Sequence, residues 1–310
     1  MQAHAGEVRC CALSPNGEWL VTAGGDRAIK LWNVSRREAE AFDGGTDPAT
    51  AAAFTRDGRE LLIGHGSGHV SRWNVETREK LSSDPGHSGA ITQLAVSPDG
   101  HWFATSGRDR SVRRWKLAER TPQWSHSTVH PALSVSFSPD GRWLAVGTGE
   151  RQQTATGAVR IHNVESGDTV AVLPEASDLA KSVAFSPDGA WLASRGSGGD
   201  LRLWDTPTWH PARRLPDSLA ANRWLFVPSR DRIVAVDFIG IVKLWDSKLA
   251  SPPLRRRFAS GHTMARSMMS QLRPMEKAWL PSHAFARGTT GHLAMTVSSS
   301  HRERPPRNTG

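Results

Sequence analysis

A short phrase built around tryptophan returns along this chain at nearly constant intervals, and that period constrains the fold more than any other feature. "AIKLWNV" (28–34), "HVSRWNV" (69–75), "SVRRWKL" (111–117), "AVRIHNV" (158–164), "LRLWDT" (201–206) and "IVKLWDS" (241–247) place Trp32, Trp73, Trp115, His162, Trp204 and Trp245 at steps of 41, 42, 47, 42 and 41 residues. The longer step holds an insertion, "GERQQTAT". A fixed period of this size means like units packed in series, each a small supersecondary element.

Inside each unit the pattern is that of strands. A turn phrase precedes five of the six tryptophan-type phrases: "LSPNGEWLVTAG", "FTRDGRELLIGH", "VSPDGHWFATSG", "FSPDGRWLAVGT" and "FSPDGAWLASRG". Proline presets the turn, aspartate bonds the backbone ahead of it, and glycine accepts positive φ. The phrase therefore marks a hairpin. "AITQLAV" and "HWFATSG" flank one such turn, "SVRRW" alternates with period two, and "EAEAF" (38–42) supplies a fourth strand. Each unit is expected to be four short antiparallel strands.

The phrases "KLWN", "RLWD" and "KLWD", with a leading "GH", closely resemble WD40 repeats over about residues 3 to 263. The resemblance implies an all-β fold, a β-propeller of six recognisable four-stranded blades with a degraded seventh. It also bears on two sets that could pass for catalytic triads. His4, Thr22, Asp26 and Trp32 recur as His87, Thr105, Asp109 and Trp115. A catalytic set would occur once, whereas this one occurs twice with the same spacing to a tryptophan. In WD40 proteins residues at the matching positions form a structural hydrogen-bond tetrad, and a buried indole and imidazole need such partners.

The other units depart from that pattern. Unit two has Ile63 and Ser67 where a hydroxyl and an Asp are expected, and unit four has His162 for the Trp. Unit five keeps Ser194 and Trp204 but has Gly198 for the Asp, and unit six keeps only Trp245. These units are expected to rest on packed rows such as Val183, Phe185, Leu192 and Leu203 rather than on a network.

No active site is specified. The 13 histidines show no metal-ligand spacing, so no metal and no cofactor are expected. "NVS" at 33–35 matches a glycosylation acceptor but follows the Trp of an ordinary repeat. "GSGG" and "GTG" lie between strands and open no helix, which does not support phosphate binding. Adjacent Cys10 and Cys11 read as ordinary strand residues.

The net charge of +9 is not spread along the chain. Residues 1–250 hold 29 Lys+Arg against 28 Asp+Glu, and residues 251–310 hold 10 against 2. A folded nucleic-acid binder carries its basic face on the domain itself, so no specific nucleic-acid partner is expected. No stretch approaches the roughly 18 apolar residues of a membrane span, no secretory signal is evident, and the expected location is the cytoplasm.

The resemblance implies a scaffold that binds other proteins or peptides, with no small-molecule substrate and no catalysis of its own. Candidate contacts are Glu7, Arg9 and Thr92, beside the start of a first strand, and Arg108, just before the aspartate turn. An alternative is the docking or sensor part of a larger bacterial signalling protein, since similar arrays often follow kinase or NTPase domains. Only Met1 to Ala3 precede the first "H-x-G" element, too few for a ring-closing strand, and this favours a fragment of something longer.

After "GHT" (261–263) the pattern collapses, and residues 264–310 hold five of the six methionines. Reading the third base of each codon with the first two of the next, Met268–Met269 forces Asp, Met275–Glu276 forces Gly, and Trp279–Leu280 permits Ala. The shifted frame allows D-V-A-V-S-P-D-G-K-S-L-A. The expectation is a seventh repeat translated out of frame, leaving a disordered basic tail and an incomplete ring; the coding DNA decides it.

Overall fold

The recurring turn phrase closes a hairpin by the same bonds each time. Ser97 Oγ donates to Asp99 and accepts from the Trp102 backbone N–H at 2.9 Å, while the Gly100 N–H reaches Ser97 O at 3.0 Å. Gly17, Gly58, Gly100, Gly141 and Gly189 all take φ between 72° and 76°, which a side chain resists. The computed structural model describes residues 4–256 apart from residues 37, 43–46, 120, 151–156, 176–178, 198, 200, 216–220, 228–231, 238–241 and 247–253. The expected tail at 264–310 and its out-of-frame origin lie outside the described residues.

Among these residues there is no helix, only 24 strands in six sheets. Blade 1 comprises β1 (Val8–Leu13), β2 (Trp19–Gly24), β3 (Ile29–Asn33) and β4 (Glu38–Phe42). Blade 2 comprises β5 (Ala49–Phe54), β6 (Glu60–His65), β7 (His69–Asn74) and β8 (Lys80–Pro85). Blade 3 comprises β9 (Ile91–Val96), β10 (Trp102–Gly107), β11 (Ser111–Lys116) and β12 (Pro122–Ser127). Blade 4 comprises β13 (Ala132–Phe137), β14 (Trp143–Thr148), β15 (Ala158–Asn163) and β16 (Thr169–Pro174). Blade 5 comprises β17 (Ala180–Phe185), β18 (Trp191–Gly196), β19 (Leu201–Asp205) and β20 (Pro211–Leu215). Blade 6 comprises β21 (Ala221–Val227), β22 (Arg232–Asp237), β23 (Val242–Asp246) and β24 (Leu254–Arg256).

Each blade is an antiparallel meander in chain order. The first strands stand side by side, β1 against β5, β5 against β9, β9 against β13 and β13 against β17, as in a β-propeller. Among the described residues there are five apolar clusters, and each is shared by two consecutive blades. The cluster of blades 1 and 2 joins Leu31 to Ile63 and Trp73, and that of blades 4 and 5 joins Ile161 to Leu192 and Trp204. A sheet that is apolar on both faces can bury both only by having a neighbour on each side.

Side chains also clip one blade to the next. Arg78 and Trp209 occupy the same place in the turn between third and fourth strands, and both take positive φ, 66° and 57°. Arg78 lies over the Trp19 ring of the preceding blade at 4.7 Å, and Trp209 meets Trp143 edge-on at 6.0 Å. Strained backbone is tolerated there because the side chain it aims covers an otherwise half-open indole. At the same place in blade 4 stands Gly167, φ 80°, where a Cβ would come within 2.7 Å of His126 Nε2. That seam is filled instead by Arg114, stacked on Trp102 at 4.1 Å, and by Trp124, whose indole N–H donates to Val164 O at 3.0 Å.

Candidate functional site

In blades 1 and 3 the four recurring side chains form one continuous chain of hydrogen bonds. Trp115 Nε1–H donates to Thr105 Oγ1 at 2.9 Å, Thr105 Oγ1–H donates to His87 Nε2 at 2.8 Å, and His87 Nδ1–H donates to Asp109 at 2.9 Å. Blade 1 has the same geometry through Trp32, Thr22, His4 and Asp26, at 2.9, 2.8 and 2.9 Å. The donors and acceptors run one way only if the imidazole is neutral with its proton on Nδ1. Each carboxylate also accepts from the loop backbone, Ser88 N–H onto Asp109 at 3.0 Å and Ala5 N–H onto Asp26 at 2.9 Å. The loop entering the blade is thereby tied to the turn between second and third strands.

Electrostatics match this arrangement. Burial pushes the His87 imidazolium below its usual range despite the Asp109 carboxylate beside it. Burial would raise the Asp109 carboxyl, but bonds from His87, Ser111 and the Ser88 backbone outweigh that and hold it below the ordinary value. Asp26 is lowered in the same way, burial being outweighed by His4 and the Ala5 and Ala28 N–H groups. Glycine is required beneath these pairs. A Cβ on Gly107 would lie 2.4 Å from His87 Nδ1, and one on Gly24 2.5 Å from His4 Nδ1.

Blade 2 overturns the expectation that packing alone holds the divergent blades. The place of Gly24 and Gly107 is taken there by His65, whose ring occupies the position a loop histidine would fill. His65 Nε2 meets Ser71 Oγ at 2.7 Å, and Trp73 Nε1–H donates to the same hydroxyl at 2.9 Å. Ser71 lies directly across the β6–β7 ladder from Ile63, so the hydroxyl has moved one strand over. The carboxylate has changed sides too. Asp47 comes from the entering loop, accepts from the Ser67 N–H at 3.1 Å and from the Ser67 hydroxyl, and stands 3.9 Å from His65 Nδ1. Imidazole and carboxylate have exchanged addresses, and the indole–hydroxyl–imidazole part of the network persists, but His65 Nδ1 ends on the Asp47 backbone carbonyl at 3.2 Å instead of on the carboxylate.

Blade 5 is a second correction. Trp204 Nε1–H donates to Ser194 Oγ at 2.8 Å, and Ser194 donates to the carboxylate of buried Glu175, which replaces the loop histidine. Arg202 Nε lies 3.7 Å from the other Glu175 oxygen, much as Arg113 at the same place in blade 3 lies 3.8 Å from Asp109. Among the described residues blades 4 and 6 show no indole–hydroxyl–imidazole network. His162, in the Trp place of blade 4, has Nδ1 3.1 Å from Gly167 O, while its Nε2 has no partner. Burial, with His126 and Arg160 nearby, drives this imidazole down to about 4. In blade 6 Trp245 Nε1 likewise has no partner.

The sequence singled out four further residues as contacts. Glu7 and Arg108 are exposed and Arg9 is half-buried. Their backbones are fixed by bonds between the loop and turn of the same blade, Gly25 N–H to Glu7 O at 2.7 Å and Arg108 N–H to Ala90 O at 2.9 Å. Glu7 and Arg9 belong to blade 1, Thr92 and Arg108 to blade 3. Thr92 differs from the others, because its hydroxyl donates to Ala132 O of blade 4 at 2.6 Å and lies 2.8 Å from Ser106 Oγ. Its side chain joins two blades. Among the described residues no group of three or more His, Cys, Asp or Glu could hold a metal ion, and no helix is long and apolar enough to cross a membrane.

Six four-stranded sheets sharing cores in series, with tryptophan–hydroxyl networks in blades 1, 2, 3 and 5, define a repeat-built β-propeller. Residues 1–33, 78–116, 123–155 and 167–205 match the family model described as WD domain, G-beta repeat. Those four segments carry WD40 repeats, and the described residues fold as a six-bladed β-propeller. The matched segments omit residues 34–77, where blade 2 has exchanged its network partners.

Among curated proteins, the chain is 28% identical over 142 residues to Transcription factor unc-37 of Caenorhabditis elegans, covering 45% of this chain and 23% of that protein. It is 32% identical over 178 residues to Echinoderm microtubule-associated protein-like 2 of Mus musculus, covering 57% and 26%. It is 27% identical over 181 residues to Pre-mRNA-processing factor 19 homolog 2 of Arabidopsis thaliana, covering 57% and 33%. The matched part is thus between 23% and 33% of these relatives' own length.

Proposed function

We propose that this propeller is a cytoplasmic scaffold that binds other proteins or peptides and catalyses no reaction itself. One observation carries the reading. The tetrads of blades 1 and 3 fix the backbone of the loops and turns at one end of those blades, and Glu7, Arg9 and Arg108 project from the segments so fixed. A rigid frame that presents side chains costs little conformational entropy on binding. The WD40 family is in general made of non-catalytic scaffolds, and relatives named as a transcription factor and a microtubule-associated protein are consistent with work inside assemblies. A docking or sensor role in a larger signalling protein would use the same end of the blades.

The test compares the wild-type chain with Glu7→Lys, Arg9→Glu and Arg108→Glu combined, by cross-linking in cells followed by mass spectrometry. The expected result is a defined set of proteins captured by the wild type and lost from the variant, with the two melting alike. Equal capture by both chains would refute the assignment of this surface.

A further inference from the structure

Among the described residues each blade leaves the outer edge of its fourth strand unpaired. An open edge offers its backbone to any other strand, and proteins guard such edges with charge or proline. β4, β8, β20 and β24 all carry charged residues, and β12 opens on Pro122 and contains His126. β16 is Thr-Val-Ala-Val-Leu-Pro, with no charge anywhere and its proline only at the end. It also bears two of the large hydrophobic side chains exposed on the molecule, Val170 at 46% and Val172 at 51%. Ala171 and Leu173 alternate with them and pack into the core shared with blade 5. The strand is held on one side, by β15, in a register that sets Arg160 opposite Val172 and Ile161 opposite Ala171.

We propose that β16 is a self-association edge and that its partner is β16 of a second copy of this chain, paired antiparallel about a two-fold axis through Ala171. The sequence suits that operation. The axis sets Val170 opposite Val172 of the partner subunit, and Val172 opposite Val170 of the partner subunit, so that apolar side chains meet across the strands on one face. Charge points the same way. A self-paired strand meets its own charges, which repel when opposite, and among the fourth strands β16 has none to meet. Because the operation is a two-fold it closes on itself and yields a dimer, not a filament. A six-residue strand pair falls well short of the roughly 1,200–2,000 Å² of a stable interface, so the dissociation constant is expected on the order of 100 µM.

Sedimentation velocity on the full chain, from about 10 to 500 µM, brackets that value. The expected result is a dimer fraction that rises with concentration. Val172→Lys is expected to raise the dissociation constant at least about tenfold, since the two-fold places two lysines in one short pair. Val170→Lys should act alike, and because both valines are exposed each variant should keep the wild-type circular dichroism. Val129→Lys, at a site 66% exposed away from β16, should dimerise as the wild type does. A monomer throughout the range overturns the proposal, including the case in which the edge captures a strand of another protein instead. So does a dimer that survives both lysine substitutions.

Discussion

Replacing Thr105 by valine removes one oxygen and keeps the side-chain shape. Thr105 is fully buried, and its hydroxyl is at once acceptor for Trp115 Nε1–H and donor to His87 Nε2. Valine leaves both ring nitrogens without a partner in a region closed to water. Each unpaired buried group costs about 1–3 kcal/mol, which gives roughly 2–6 kcal/mol for the pair. Because the blades share cores only with neighbours, the loss should appear mainly in blade 3 and the two blades beside it. Hydrogen exchange read by mass spectrometry resolves this. Amides of β9 to β11 should exchange at least about thirtyfold faster through local opening, as 2 kcal/mol requires, while those of β19 and β20 should not change. Thr105→Ser keeps the hydroxyl and should lose under about 1 kcal/mol, the cost of one small buried group. If Thr105→Val exchanged within twofold of the wild type, the networks would not be what fixes the loops.

Two further outcomes follow from the divergent blades. In blade 2, Ser71→Ala should destabilise by roughly 2–4 kcal/mol, because Trp73 Nε1 and His65 Nε2 both lose the Ser71 hydroxyl; urea titration monitored by exchange in β6 and β7 measures it, and a change below about 0.5 kcal/mol would contradict the exchanged network. In blade 4, His162 titrates at about 4 in the folded chain and 6.5 when free, so below 6.5 the unfolded chain holds the extra proton. Stability should therefore fall as pH drops from 6.5 to 4, by about 3 kcal/mol from this residue. His87 and His65, both lowered by burial, act in the same direction. His162→Phe should remove that part of the slope, and a variant with the wild-type slope between pH 4 and 6.5 would show that His162 is not its source.

The fold was legible because its signals are local and repeated. A Pro-Asp-Gly turn needs only its own neighbours to declare a hairpin, and six returns of the tryptophan-type phrase outweigh the losses in any one unit. The tetrads of blades 1 and 3 were legible for the same reason. Blade 2 was not, since each position was compared with its counterpart in the other repeats. Ser71 stands in the column of Lys30 and Arg113, and only the strand register shows that this column faces Ile63. Glu175 escaped notice because a histidine was sought in that loop. Thr92 read as a surface contact because nothing in its own segment reveals Ala132, forty residues further along, as the acceptor of its hydroxyl.

The exchange in blade 2 also bears on how such repeats can change over time. Two arrangements that satisfy the same indole and imidazole from different addresses cannot interconvert by one substitution. A chain that lost the second-strand hydroxyl first would pass through a state with indole and imidazole both unsatisfied. A chain that gained Ser71 while still holding a threonine opposite would carry one spare hydroxyl, a far smaller penalty. Gain before loss is the passable order, so repeats bearing a hydroxyl at both addresses are the intermediates to look for among the relatives of this blade.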